Sequence, residues 1–172
     1  GWHEFLKKDY ATGLMHFRPL AEQGDPWAQS SLAGAYKYGK GVTQDGKEAA
    51  RWYRKAAENR YVYAPNALGD MYVNGKGTEQ NFEEALKWYR IAAGKGDGEA
   101  MTSLAHMYEQ GKGVERDIVT AYAWQIIVTR RGDFLSGERA QRKSDLADKL
   151  TPDEIAKAKT LADEMQNPRI LK

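Results

Sequence analysis

A 36-residue unit recurs along this chain and constrains it more than any other feature. Residues 32–57 read LAGAYKYGKGVTQDGKEAARWYRKAA, and residues 68–93 read LGDMYVNGKGTEQNFEEALKWYRIAA. From Leu104 the chain reads LAHMYEQGKGVERDIVTAYAWQII. A fixed period of this length, with apolar residues at helical spacing, predicts an α-solenoid whose core is a strip between successive units. Each unit is too small to bury its apolar face alone, so it does so against its neighbour.

Composition narrows the function classes. With 41% hydrophobic and 29% charged residues the chain is expected to fold. The 26 basic residues nearly balance the 24 acidic ones, and no basic block stands out, so nucleic acid is not an expected partner. The absence of cysteine excludes disulfides, thiolate nucleophiles and Cys-based metal sites. No apolar run approaches the roughly 20 residues that span a bilayer, so membrane insertion is not expected. The start at Gly1 reads as a processed terminus or a cloning remnant, compatible with a removed signal peptide.

Residues 1–8 bring Trp2, Phe5 and Leu6 together and are expected to start or cap the first helix. The following segment aligns with the second half of the unit. Asp9 falls on Asp45, His16 on Trp52, Phe17 on Tyr53, Leu20 on Ala56 and Ala21 on Ala57, and Pro19 predicts a bend. The first full unit opens at Asp25-Pro26, an N-cap followed by proline at N1. Ala28, Leu32, Ala33 and Tyr36 form the apolar stripe of its first helix, here called helix A. Gly39 and Gly41 end that helix and reverse the chain, and Val42 is expected to plug the turn. Asp45 with Glu48 reads as a capping box for helix B, whose buried face is Ala49, Trp52, Tyr53, Ala56 and Ala57.

The second unit repeats this plan with Ala64, Leu68, Gly69 and Tyr72, then Gly75 and Gly77. Its second capping box is Asn81/Glu84, followed by Ala85, Trp88, Tyr89, Ala92 and Ala93. Its start is irregular. Arg60-Tyr61-Val62 stands where Gly24-Asp25-Pro26 and Gly96-Asp97-Gly98 stand elsewhere, and Pro65 must lie in the first turn or kink the helix. The third unit has Ala100, Leu104, Ala105, Tyr108, Gly111, Gly113 and Val114, then Asp117, Ala121 and Trp124. It decays into Ile126-Ile127-Val128 and stops at Arg130-Arg131-Gly132. A charged helix is predicted over 137–149. Thr151-Pro152-Asp153-Glu154 opens a last helix with the stripe Ile155, Ala158, Leu161, Ala162 and Met165, followed by Pro168. These two helices are expected to cap the stack.

The pattern A-x-x-x-L-[GA]-x-x-Y-x-x-G-x-G-[VT], an Asp or Asn cap, then A-x-x-W-Y-x-x-A-A resembles the Sel1-like repeat family. It runs over Ala28–Ala57 and Ala64–Ala93 and in part over Ala100–Trp124. The chain departs from it at Ala33, Ala105, Thr78, Gln125, Tyr61 and Pro65. The resemblance, which extends to the ending of bacterial members, implies a right-handed α/α superhelix. The expected division is one solenoid domain: a half repeat at 9–24, repeats at 25–60, 61–96 and 97–131, and capping helices at 137–167. The resemblance also implies an adaptor that binds a protein or peptide segment, without catalysis or cofactor. It is expected to be a monomer, with weak dimerisation as the alternative. It leaves the compartment open, with periplasm or export ranked ahead of the cytoplasm. One cysteine-rich branch has been linked to binding or hydrolysing β-lactams; this chain lacks those cysteines, so that activity is not carried over.

By analogy with the related tetratricopeptide architecture, the A helices line a concave groove. The groove residues are then Trp27, Ser30, Gly34 and Lys37; Tyr63, Asn66, Asp70 and Val73; and Glu99, Thr102, His106 and Glu109. Trp27 and Tyr63 form an aromatic shelf in this reading, Asn66 an amide clamp for peptide backbone, and Glu99 and Glu109 an acidic end. The alternative for Trp27 is packing near Phe17; Tyr63 could likewise pack, and Asn66 and the glutamates could be solvated surface. His3, His16 and His106 form no zinc motif, and His16 is expected to pack at the Trp52 position. His106 is the one histidine expected in the groove, with Asp70 and Glu109 as polar company. Glu83-Glu84 and Asp153-Glu154 oppose helix dipoles. Lys40, Lys76 and Lys112 are expected along one edge, and Arg130, Arg131, Arg139, Arg142 and Lys143 as a solvated face interrupted by Glu138, Asp145 and Asp148. The two alternatives to an adaptor are a hydrolase of cell-wall or β-lactam-like substrates and a structural spacer in a bacterial envelope complex.

Overall fold

The computed structural model describes residues 2–131 and 137–166, without the side chains of 2–9 and 138–140. Among these residues there are nine α-helices and no strand: α1 (Trp2–Glu22), α2 (Pro26–Tyr38), α3 (Gly46–Glu58), α4 (Ala64–Asn74), α5 (Phe82–Gly94), α6 (Gly98–Gln110), α7 (Ile118–Arg130), α8 (Gly137–Ala147) and α9 (Pro152–Met165). The chain is an all-α solenoid of helix-turn-helix units with a terminal helix cap formed by α8 and α9. It divides into two compact units, Gly1–Trp88 and Tyr89–Lys172. The side chains of Trp2, His3, Phe5, Leu6, Glu138 and Arg139, and residues Gly132 and Pro168, lie outside the described residues.

The helices start where short polar side chains accept the free amide N–H groups. Asp25 accepts from Ala28 N at 2.7 Å, and Asp45 from Lys47 N and Glu48 N. Asn81, Asp97 and Asp117 do the same for α5, α6 and α7. Each such cap stabilises by about 1 kcal/mol. The reciprocal half of the expected boxes at Asp45 and Asn81 is diverted: Glu48 pairs with Arg51 at 3.0 Å, and Glu84 with Lys87. A full capping box forms at Thr151/Glu154. Pro19 lies inside α1, which runs on to Glu22.

The turns between A and B helices satisfy their own backbone. Gly39, Gly75 and Gly111 take left-handed φ values of 65°, 63° and 67°. Their N–H groups bond Ala35 O, Met71 O and Met107 O. Asp45 N, Asn81 N and Asp117 N then bond Tyr36 O, Tyr72 O and Tyr108 O. Gln44, Gln80 and Arg116 add side-chain bonds to the carbonyls of Lys37, Val73 and Glu109. Few orphan carbonyls remain, as a turn without sheet or helix partners requires. At the irregular junction Arg60 takes φ 66°, doing with a side chain what Gly24 and Gly96 do without one. Pro65 sits buried at the start of α4, where its missing N–H costs nothing.

In the first unit α1 packs on α2, α2 on α3 and α3 on α4. Ala28, Leu32, Ala33, Ala49, Trp52, Tyr53, Ala56, Ala64 and Leu68 belong to one buried cluster, with Val42 partly buried against it. Alanines let helix axes approach, and the aromatic pair fills the wider gap. In the second unit α6 packs on α7, and α7 on α8 and α9. Its buried residues include Leu104, Ala121, Ile126, Ile127, Val128, Leu146, Ala158 and Ala162. Tyr36, Tyr72 and Tyr108 are not pure packing residues: their hydroxyls accept from Arg18, Arg54 and Arg90 at 3.1, 2.6 and 2.7 Å. Each tie runs from a helix B position to the following helix A, 18 residues on. His16 is exposed, not packed as Trp52 is. The polar imidazole stays hydrated at the surface, whereas the larger apolar Trp52 ring gains from burial.

Candidate functional site

The A-helix face of the first unit is built by α2 and α4. Trp27 is 52% exposed and Tyr63 67% exposed, so both offer large aromatic surface. Each is also braced: Trp27 meets Phe17 edge-on at 5.0 Å between ring centres, and Tyr63 meets Tyr61 edge-on at 5.7 Å. Packing and display are therefore not alternatives here, because one ring edge is anchored while the rest stays open. Ser30 and Lys37 of α2, and Asn66 and Asp70 of α4, are half-buried. The Lys37 ammonium lies 5.2 Å from the Tyr38 ring centre. Asn66 Oδ1 is buried with no hydrogen-bond partner among the described residues.

Tyr53, assigned to packing by its place in the repeat, also belongs to this face. Its ring is buried on α3, but its hydroxyl comes up against Gly34 of α2, where an added Cβ would stand 3.6 Å from it. Burial pushes the phenol up to about 12, with further upward pushes from Tyr38, Asp70 and Tyr61. The Tyr53 phenol thus stays protonated and keeps its O–H donor beside Gly34. The signal in the sequence is Gly34 standing where Asp70 and His106 stand in the other copies, which leaves room for the hydroxyl.

In the second unit the expected residues meet different fates. Glu99 is exposed in the first turn of α6. Thr102 turns its hydroxyl back to Gly98 O at 2.9 Å. Glu109 is bonded by Lys149 at 2.7 Å, so its charge is met from beyond α8 rather than left open. His106 is half-buried, and its Nε2 has no partner among the described residues. Burial, then Arg142 of α8, hold its imidazole below the usual histidine range; Glu109 pulls the other way and Lys112 adds to the lowering. The basic residues around the cap are used structurally: Arg130 bonds Asp163 and Gln166, and Lys143 bonds Thr129. Lys40 lies over the rings of Tyr10 and Tyr38, at 5.4 and 5.7 Å.

Among the described residues no group of three histidine, aspartate or glutamate side chains stands where it could hold a metal ion. None of the described helices is long and apolar enough to cross a membrane.

The Sel1 repeat description matches residues 2–25, 28–61, 62–97 and 98–124. The chain belongs to the Sel1 repeat family. A Sel1 repeat protein from Oxalobacter formigenes is 37% identical, with a TM-score of 0.73 over 78% of this chain and 54% of that one. A protective antigen present in uropathogenic Escherichia coli strains, displaying an SLR fold, is 26% identical with a TM-score of 0.66 over 88% of this chain and 40% of its own. Cysteine rich protein B of Helicobacter pylori, at 23% identity and a TM-score of 0.58, shares the fold over 74% of this chain and 92% of that one. This Sel1 repeat chain spans about half the length of the first of these structures and two fifths of the second. No curated protein matches it. A Sel1 solenoid of this kind is consistent with protein–protein interaction scaffolding in general.

Proposed function

We propose that this chain is a binding adaptor whose A-helix faces take an extended peptide or protein segment. In the first unit the contact residues are Trp27, Ser30, Lys37, Tyr63, Asn66 and Asp70, with the Tyr53 hydroxyl as floor. The reading is supported chiefly by one observation: Trp27 and Tyr63 are braced along one edge yet more than half exposed. A braced aromatic presents apolar area at little entropy cost on binding, which is how recognition surfaces use tryptophan and tyrosine. An apolar or proline residue of the partner would lie against these rings, and its backbone amide would meet the unpartnered Asn66 Oδ1. Glu99, Thr102, His106 and Glu109 are proposed as a second contact patch. There Glu99 presents the charge, because Glu109 is already engaged by Lys149. Neither the hydrolase nor the spacer alternative is favoured by a specific observation.

A displayed peptide library panned against wild type and the Trp27→Ala, Asn66→Ala double variant tests this. The expected result is a family of enriched peptides whose binding falls about a hundredfold in the double variant, the loss two hot-spot truncations of ~1.4 kcal/mol each produce. Equal binding by the double variant, with its helical content intact, would remove the proposal.

A further inference from the structure

A cavity lies in the unit Tyr89–Lys172, and none of its lining residues is among those proposed above as contacts. It has a volume of about 440 Å³ and is lined by residues of α5, α6, α7 and α9 together with Arg131 and Gln166. That size falls within the range of small-molecule sites. Its walls are Met101, Trp124, Ile127 and Met165, with Ala93 beside them, and among the described residues no acidic side chain lines it. Two arginines, Arg90 and Arg131, are among the residues that line it. Neither is paired with a carboxylate among the described residues. Arg90 is held in place by its bond to the Tyr108 hydroxyl at 2.7 Å. Arg131 is seated over Gly96: a Cβ there would lie 2.6 Å from its Nη2, so the bare glycine makes room for the guanidinium. Trp124 contributes its indole, and the indole Nε1–H is buried without an acceptor among the described residues.

An apolar chamber lined by two arginines has a specific chemical complement. We propose that it binds a small carboxylate with an unbranched apolar body, a medium-chain alkanoate, with the carboxylate on Arg90 and Arg131 and the chain against Met101, Trp124, Ile127 and Met165. The guanidinium fork matches a carboxylate in two parallel hydrogen bonds. The two methionines are unbranched and polarisable, so they close around a flexible chain more readily than branched side chains do. The repeat pattern accounts for Arg90, Ala93 and Trp124 but gives no reason for Arg131, Met165 or Gln166. Arg131 stands beyond the last helix of the third unit and Met165 and Gln166 at the end of the cap, so the chamber is specific to this end of the chain.

The test is a titration of the full chain with sodium octanoate below its micelle threshold. It is followed by amide and indole NMR, with the Trp124 indole signal assigned through Trp124→Phe. Octan-1-ol, octylamine and inorganic phosphate serve as comparison probes. Octanoate should shift the Trp124 indole and the amides of α9 saturably, and octan-1-ol should bind about tenfold more weakly. Octylamine and phosphate should give no saturable shift. Arg131→Gln, on an exposed residue, should weaken octanoate about tenfold with an unchanged thermal midpoint, and Arg90→Gln with Arg131→Gln should abolish it. Octan-1-ol binding as well as octanoate, phosphate reproducing the octanoate shifts, or Arg131→Gln leaving the affinity intact would each overturn the assignment. So would the absence of any octanoate shift.

Discussion

Replacing Gln125 by methionine should stabilise the unit that contains α7. Gln125 has no measurable exposure, and neither its Nε2 nor its Oε1 meets a hydrogen-bond partner among the described residues. A buried donor or acceptor left unmade costs about 1–3 kcal/mol, so the amide carries roughly 2–6 kcal/mol of uncompensated desolvation. Methionine keeps the length and approximate volume of glutamine and carries no strong polar group, and a volume-conserving swap in a core costs less than about 1.5 kcal/mol. The net expected gain is about 2 kcal/mol or more, which for a chain of this size raises the thermal midpoint by roughly 4–8 °C.

Gln29 provides the internal control. It is equally buried, but its Nε2 donates to Ala21 O at 3.0 Å and its Oε1 accepts from Asn59 Nδ2 at 2.9 Å. Gln29→Met removes both bonds and should destabilise by about 1–2 kcal/mol. Circular dichroism melts and equilibrium urea titrations of the two variants therefore give opposite signs for one chemical change. Because repeat arrays can lose two-state behaviour, both probes should be fitted with the m-value left free. A fall in the midpoint for Gln125→Met, or no change, would overturn this expectation. It would mean that the Gln125 amide is paired in solution.

Three further variants test other parts of the fold. Gly77→Ala should destabilise the first unit by more than about 2 kcal/mol in a urea titration: its φ of 82° disfavours a side chain, and a Cβ would stand 2.0 Å from the Gly46 backbone. Gly94→Ala, on a helical glycine with nothing within 4 Å, should instead gain up to ~1 kcal/mol, and equal effects at the two sites would contradict this account. The imidazole of His106 has its pKa lowered in the fold, so the folded state binds fewer protons than the unfolded state below pH ~6.5. Its contribution is full at neutral pH and is lost as pH falls from there through the depressed folded value. His106→Gln should accordingly flatten the plot of stability against pH between ~7 and ~5, a window that brackets the ordinary histidine pKa. An identical slope in the variant would show that burial and Arg142 do not hold this imidazole below its ordinary range.

What could be read without coordinates was whatever depends on near neighbours in the chain. The 3.6-residue stripe Ala28, Leu32, Ala33 and Ala49, Trp52, Tyr53, Ala56 was legible because burial of one helix face follows from spacing alone. Gly39, Gly75 and Gly111 were legible because left-handed backbone disfavours a Cβ. Asp25, Asp97 and Asp117 were legible because a short acceptor meets amides two or three residues away. The Sel1 pattern itself consists of such positions.

The rest depends on how far one helix is rotated and shifted against another, and no local rule carries that information. Arginines 18 residues before each helix A tyrosine look like solvated surface until α1 meets α2 and α3 meets α4. Glu48 and Glu84 fit a local rule, yet Arg51 and Lys87 take them. Glu109 reads as open acid until Lys149 reaches it from the cap. Tyr53 reads as packing until Gly34 turns out to leave space for its hydroxyl. Gln125 reads as a departure from a pattern, and only its complete burial shows a polar group without compensation. Local sequence therefore sets the helices, their turns and their buried faces, because those rest on backbone sterics and periodic burial. Tertiary structure decided which polar atoms are met, which aromatics stay open, and where Arg90 and Arg131 border an apolar chamber. Those outcomes are set by contacts between residues tens of positions apart.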